Sequence, residues 1–132
     1  MSAYWDSSAL IAALHNDQVM DRLVEEGGVT RPHAFAEVFS TLTGGRLGVR
    51  FATDQVAMMI RELRSHLKES NLSADQCLSA FDEAKNKGVR GGQIYDFLHA
   101  TAAVISGCNK IYTLNLSDFR ELYPELTIES PE

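Results

Sequence analysis

Short β-prone runs, each running straight into a helical stretch, constrain this 132-residue chain more than any other feature. Residues 2–5 (SAYW) form a short strand, and Asp6-Ser7-Ser8 then offers N-caps for a helix over roughly 8–15. A second short helix is expected over 17–25, ended by Gly27-Gly28, and Val29-Thr30 is a brief strand before Arg31-Pro32 opens the next helix. That helix, 33–43, places Phe35, Val38, Phe39 and Leu42 on one face and stops at Gly44-Gly45. From Thr53 or Asp54, Val56, Met59, Ile60 and Leu63 fall at helical spacing; a short strand within 64–69 is left open by periodicity. Ser73 and Gln76 make a capping box for a helix over 74–87, closed by Gly88. A long helix follows over 93–106, then the β-rich run KIYTLN (110–115), then a turn or helix from Leu116 to Phe119. Strands that alternate with helices imply an α/β fold with a parallel sheet, whose functional crevice lies beyond the carboxyl ends of the strands.

Size and composition set the frame for that sheet. A chain of this length suggests one domain, 1–132, able to bury a core without disulfides or a structural metal. With 45% hydrophobic and 23% charged residues, it is an ordinary globular sequence; only residues 129–132 are expected to be loose. Cys77 and Cys108 form no CxxC or Cys/His pattern, which excludes a thiolate zinc site and favours a reducing compartment. The N-terminal run has no basic stretch, its apolar residues are broken by Asp6, and nothing approaches a membrane span of roughly 18 apolar residues. A cytoplasmic protein with no membrane partner is expected. The net charge of −6 argues against general affinity for nucleic acid, because phosphate neutralisation by Lys and Arg dominates such binding. Acids that bind a divalent metal would offset part of that charge.

The candidate chemistry is acidic. Asp6 directly follows a strand, where it is a helix cap as readily as a ligand. Glu37 lies off the apolar stripe of its helix, so a solvated glutamate is its ordinary reading. Asp96 is more informative: with His99, Ala100 and Ala103 it forms a stripe opposite Ile94, Phe97, Leu98, Thr101, Val104 and Ile105. An alanine-lined stripe packs against something, and an Asp in it needs a cation or a donor. His99 is one turn from Asp96, yet a lone His in a packed helix is more often a satisfied structural residue. Asn115 and Asp118 follow the last strand, where turn roles are equally natural, and Thr113 is at least a β-former. Several carboxylates at one place would select hard cations such as Mg²⁺ or Mn²⁺ and, without metal, would repel one another and raise their pKa values. No GxSxG, P-loop, HExxH or GxGxxG motif offers a competing chemistry.

The order of these residues resembles the PIN domain, in particular the VapC-type toxin ribonucleases of bacterial toxin–antitoxin pairs. The resemblance is carried by YWDSSAL (4–10), RPHAFAEVFSTL (31–42) and GGQIYDFLHATAAVISGCNKIYTLNLSDF (91–119), and spans nearly the whole chain. It implies a three-layer α/β/α fold with a central, mostly parallel sheet, often in a homodimer, and hydrolysis of a specific RNA by water at a Mg²⁺ or Mn²⁺ site. It places catalytic, metal-holding acids at Asp6, Glu37, Asp96 and Asp118, with Asn115 as a polar or water-mediated ligand and Ser7 and Thr113 as supporting hydroxyls. It also implies a cognate antitoxin that inserts a peptide, often with an Arg, into the acidic site, where a guanidinium pairs bidentately with carboxylates. Arg46, Arg50, Arg61 and Arg64 are the best-placed basic residues for RNA, although surface arginines are commonly no more than that. The alternatives are a catalytically silent PIN-like module that binds RNA or protein, and a DxDx[TV]-type phosphotransfer domain, against which Ser8 stands in place of the second acid.

Overall fold

The alternation of side chains along three-residue strands decides which helices cover which face of the sheet. In the computed structural model, which describes residues 2–132, the first strand β1 (Ala3–Trp5) turns Ala3 and Trp5 to one side and Tyr4 to the other. Trp5 packs with Leu10, Leu23, Val38, Leu42 and Leu63, whereas Tyr4 packs with Ala100, Ala103 and Ile111. The other strands are β2 (Val29–Thr30), β3 (Lys68–Glu69), β4 (Lys110–Tyr112) and β5 (Thr127–Glu129), all parallel in the order β3-β2-β1-β4-β5. The register Tyr4 to Ile111 and Trp5 to Tyr112 keeps each face consistent from strand to strand.

Helices α1 (Ser7–His15), α2 (Asp17–Glu26), α3 (Pro32–Thr43) and α4 (Thr53–Ser65) pack together on the Trp5 side. On the Tyr4 side lies α6 (Gln93–Ile105), flanked by α5 (Ala74–Asn86) and the short α7 (Leu116–Phe119). The arrangement is the expected three-layer α/β/α fold, and no helix among the described residues is long and apolar enough to cross a membrane. Because β1 pairs with β2 on one side and β4 on the other, the order of the chain reverses about β1. In open parallel sheets such a reversal leaves a crevice at the carboxyl ends of the two strands. Asp6 and Thr113 follow those two ends directly.

Three details differ from the sequence expectations. Residues 127–129 form an edge strand against β4, and Pro131 is buried, so the end of the chain is tied down. The run is too short and too polar to signal itself; only its pairing with β4 makes it a strand. On α3 the buried positions are Ala34, Val38 and Leu42, while Phe39 is 37% exposed, because the helix meets the core through its small residue. On α6 every residue from Phe97 to Ala103 is buried, so the alanine stripe is indeed packed, whereas Ile105 is 48% exposed.

Candidate active site

The site starts from Asp6, whose carboxylate is 2% exposed and held by three donors. Its Oδ1 accepts the backbone N–H of Ala9 at 2.9 Å, as a helix cap, and the Ser8 hydroxyl at 2.7 Å; its Oδ2 accepts the Thr113 hydroxyl at 2.6 Å. Both hydroxyls in turn accept backbone N–H groups of the loop after β4, Leu114 to Ser8 at 2.9 Å and Asn115 to Thr113 at 3.0 Å. The β4–α7 loop is thus tied to the start of α1 through Asp6. Burial pushes the Asp6 pKa up, and these hydrogen bonds pull against that rise. The hydroxyl that bonds Asp6 is that of Ser8, one position beyond the expected Ser7, which lines the adjoining cleft instead. Cap and functional roles coexist at Asp6.

Glu37 is not a solvated surface glutamate. It is held from α6 by His99, whose Nε2 lies 2.6 Å from Glu37 Oε1. His99 is itself buried, with its Nδ1 2.7 Å from the Tyr4 hydroxyl and 3.4 Å from Arg31 Nε. Tyr4 stays a phenol, since burial raises its pKa far above the ordinary value. The Tyr4 hydroxyl and Arg31 Nε thus face Nδ1, and Nε2 is the ring nitrogen that faces Glu37. Burial pushes Glu37 up, but the His99 hydrogen bond and the neighbouring histidine and arginine charges outweigh it, and Glu37 ends below the ordinary carboxylate range. Arg31, 6% exposed, follows β2 at the N-cap position of α3 and leaves its Nη2 without a hydrogen-bond partner among the described residues. Its buried charge lies close enough to act on Tyr4, Glu37 and His33.

Asp96, in the first turn of α6, is half-buried, and its pKa is raised to about 6. Burial is the main cause, followed by the charge of Asp118, with Asp6 and Glu37 adding further repulsion against a counter-effect from His99. Asp118 is exposed on α7, its N–H bonded to the Asn115 carbonyl at 3.1 Å. The four expected acids therefore come from the end of β1 and from α3, α6 and α7, and Asp96 senses the charge of the other three. Beside them a cleft of about 650 Å³ is lined by Ser7, His33, Glu37, Arg46, Tyr95 and Asn115, among others. His33, at i−4 from Glu37 with Nε2 3.9 Å from its Oε1, stacks on Tyr95 across the gap between α3 and α6. Burial lowers the His33 pKa, with Glu37 partly offsetting it.

Carboxylate and amide oxygens suit a hard cation, and the Asp96 pKa is raised by burial first and by the neighbouring acids second. Among the described residues no three His, Cys, Asp or Glu side chains stand at ligand spacing, so the fit is one of donor chemistry and charge rather than a closed cage. Of the arginines, Arg46 lines the cleft, whereas Arg64 pairs with Glu69 at 2.9 Å on the far edge strand. Sequence reasoning missed Tyr4, Arg31, His33 and Tyr95 and placed His99 as structural. The spacing of His99 from Asp96 by one turn was the only signal available.

No family model matches the chain, and no curated protein matches it significantly. Solved structures do. A chain of VapBC2 from Rickettsia felis, bound to a DNA fragment from their promoter, aligns with a TM-score of 0.71 and 19% identity over 98% of this chain and 98% of that one. PAE2754 from Pyrobaculum aerophilum gives 0.71 and 18% over 97% and 89%. VapC20 of Mycobacterium tuberculosis, a sarcin–ricin-loop-cleaving toxin, gives 0.68 and 17% over 95% and 98%. The PIN-like α/β/α fold expected from the resemblance is the fold this chain has.

Proposed function

We propose that this chain is a metal-dependent endoribonuclease, the toxin of a toxin–antitoxin pair, which hydrolyses RNA phosphodiester bonds. The observation that supports it most is the crevice beyond β1 and β4, where the buried Asp6 carboxylate is tied to the β4–α7 loop through Ser8 and Thr113, beside a cleft lined by Glu37 and Asn115. A fold shared with VapC20 and a VapBC2 chain, end to end, supports the same reading and an antitoxin partner.

Asp6, Glu37, Asp96 and Asp118, with the Asn115 amide, are the residues that would hold Mg²⁺ or Mn²⁺. Such a cation supplies charge neutralisation at the scissile phosphate and lowers the pKa of an attacking water. The chain's own contribution is orientation. Ser8, Thr113 and the Ala9 amide fix the Asp6 carboxylate, and His99 takes Glu37 Oε1, leaving Oε2 as its free acceptor. Because Glu37 lies below the ordinary range and Asp96 above it, the two carboxyls differ in proton affinity at neutral pH. Glu37, held below the ordinary range by His99, stays an acceptor.

The test is cleavage of total cellular RNA by purified protein with Mn²⁺, against Asp96→Asn and an EDTA control. Discrete fragments from the wild type alone are expected. That no three acids stand at ligand spacing among the described residues favours one other reading, a silent PIN-like binding module. RNA left intact by antitoxin-free wild type would support that module and remove the nuclease.

A further inference from the structure

The cleft beside the acids has few means of holding a phosphate backbone. Arg46 is its one lysine or arginine, Glu37 is acidic, and the chain as a whole carries −6. Affinity for RNA through phosphate neutralisation alone is therefore poor. What the cleft does offer is a flat aromatic surface: the Tyr95 and His33 rings lie nearly parallel, at 11°, with centroids 5.7 Å apart. At that separation parallel rings are offset rather than eclipsed, and Tyr95 remains 51% exposed although it is stacked. The pair bridges the two helices that carry Glu37 and Asp96, with His33 one turn before Glu37 and Tyr95 immediately before Asp96. Around it stand Ser7, Ser40, Thr41 and Asn115, short neutral groups able to meet base edges.

We infer that Tyr95 and His33 form a nucleobase-stacking subsite, which holds one unpaired base of a single-stranded RNA against the wall of the acidic cleft. The inference rests on the ribonuclease reading above and narrows its substrate to RNA whose bases are splayed out at the site. A paired base is sandwiched by its neighbours and presents no face to a side chain, so duplex RNA does not satisfy this surface. Stacking onto the Tyr95 face tolerates any base, and leaves sequence choice to the polar groups around it.

The experiment uses the intact chain carrying Asp96→Asn, in EDTA so that no strand is cut, titrated into a single-stranded adenosine hexaribonucleotide carrying one 2-aminopurine and into a duplex hairpin with 2-aminopurine paired inside a G·C-rich stem. Quenching by the single strand and not the duplex is expected, with a salt slope shallower than about −2. Adding Tyr95→Ala should weaken binding roughly 5- to 100-fold, the range for loss of one base–aromatic stack, while Tyr95→Phe should stay within about twofold. Tyr95 is half-exposed, and an unchanged melting temperature checks that both variants fold. Equal binding by Tyr95→Ala, equal losses for Ala and Phe, preference for the duplex, or cleavage by wild type without hexamer binding would each overturn the subsite while leaving the nuclease intact. No binding together with no cleavage of cellular RNA by wild type would remove both.

Discussion

At the scale of single residues, the site is a set of carboxylates held in unlike environments. Asp6 is saturated by donors, Glu37 is tethered by one imidazole, and Asp96 faces mostly like charge. Asp96 makes a pH-dependent prediction with a definite sign. Its pKa rises from 3.8 to about 6 on folding, so the folded metal-free protein binds that proton more tightly than the unfolded chain. The stabilisation is full below pH 3.8 and is lost as pH climbs from there through about 6. Asp96→Asn should therefore be more stable than wild type at pH 8 by about 1 kcal/mol, the figure being kept small because half of the side chain meets solvent. At pH 3.5 the difference should vanish. Urea denaturation at the two pH values in EDTA decides this, and a variant less stable than wild type at pH 8 would mean that Asp96 is held by a partner rather than repelled.

At the scale of elements, the site is placed by how strands and helices begin and end. Gly28 opens β2 with φ +135°, and a Cβ there would run into the Ala3 carbonyl and the Trp5 indole, so β1 and β2 come together only because the residue has no side chain. Gly28→Ala should destabilise the fold by several kcal/mol, seen as loss of soluble protein or a collapsed melting temperature. The capping box of α5 is a counter-case, since Ser73 and Gln76 bond reciprocally far from the acids. Ser73→Ala should cost about 1 kcal/mol of stability and leave RNA cleavage unchanged. These boundaries were legible in the sequence because glycines, caps and apolar periodicity are local. The strand β5 was not, since its identity comes from pairing with β4.

At the scale of the whole molecule, the fold gathers acids from separate parts of the chain, and in the metal site proposed above divalent cations would act as stabilising ligands. Millimolar Mn²⁺ should raise the melting temperature by mass action, by an amount equivalent to about 2.7 kcal/mol at a hundred times Kd. Asp6→Asn and Asp96→Asn should blunt the rise in a calorimetric scan. No shift at any Mn²⁺ concentration would take the metal out of the proposal. What the sequence by itself determined is the alternation of strand and helix and the α/β class with a parallel sheet, because caps, glycines and periodicity are written within a few residues of each element; the three-layer arrangement and the set of candidate acids Asp6, Glu37, Asp96 and Asp118 came from the resemblance to the PIN domain. Only the tertiary structure decided the company those acids keep. Strand alternation turns Tyr4 toward α6, where it meets His99; α3 brings Glu37 and Arg31 to the same ring; and β4, paired with β1, delivers Thr113 to Asp6. Those contacts join residues far apart in the chain, and a hydrogen bond or a charge depends on distance in space, which local pattern does not encode.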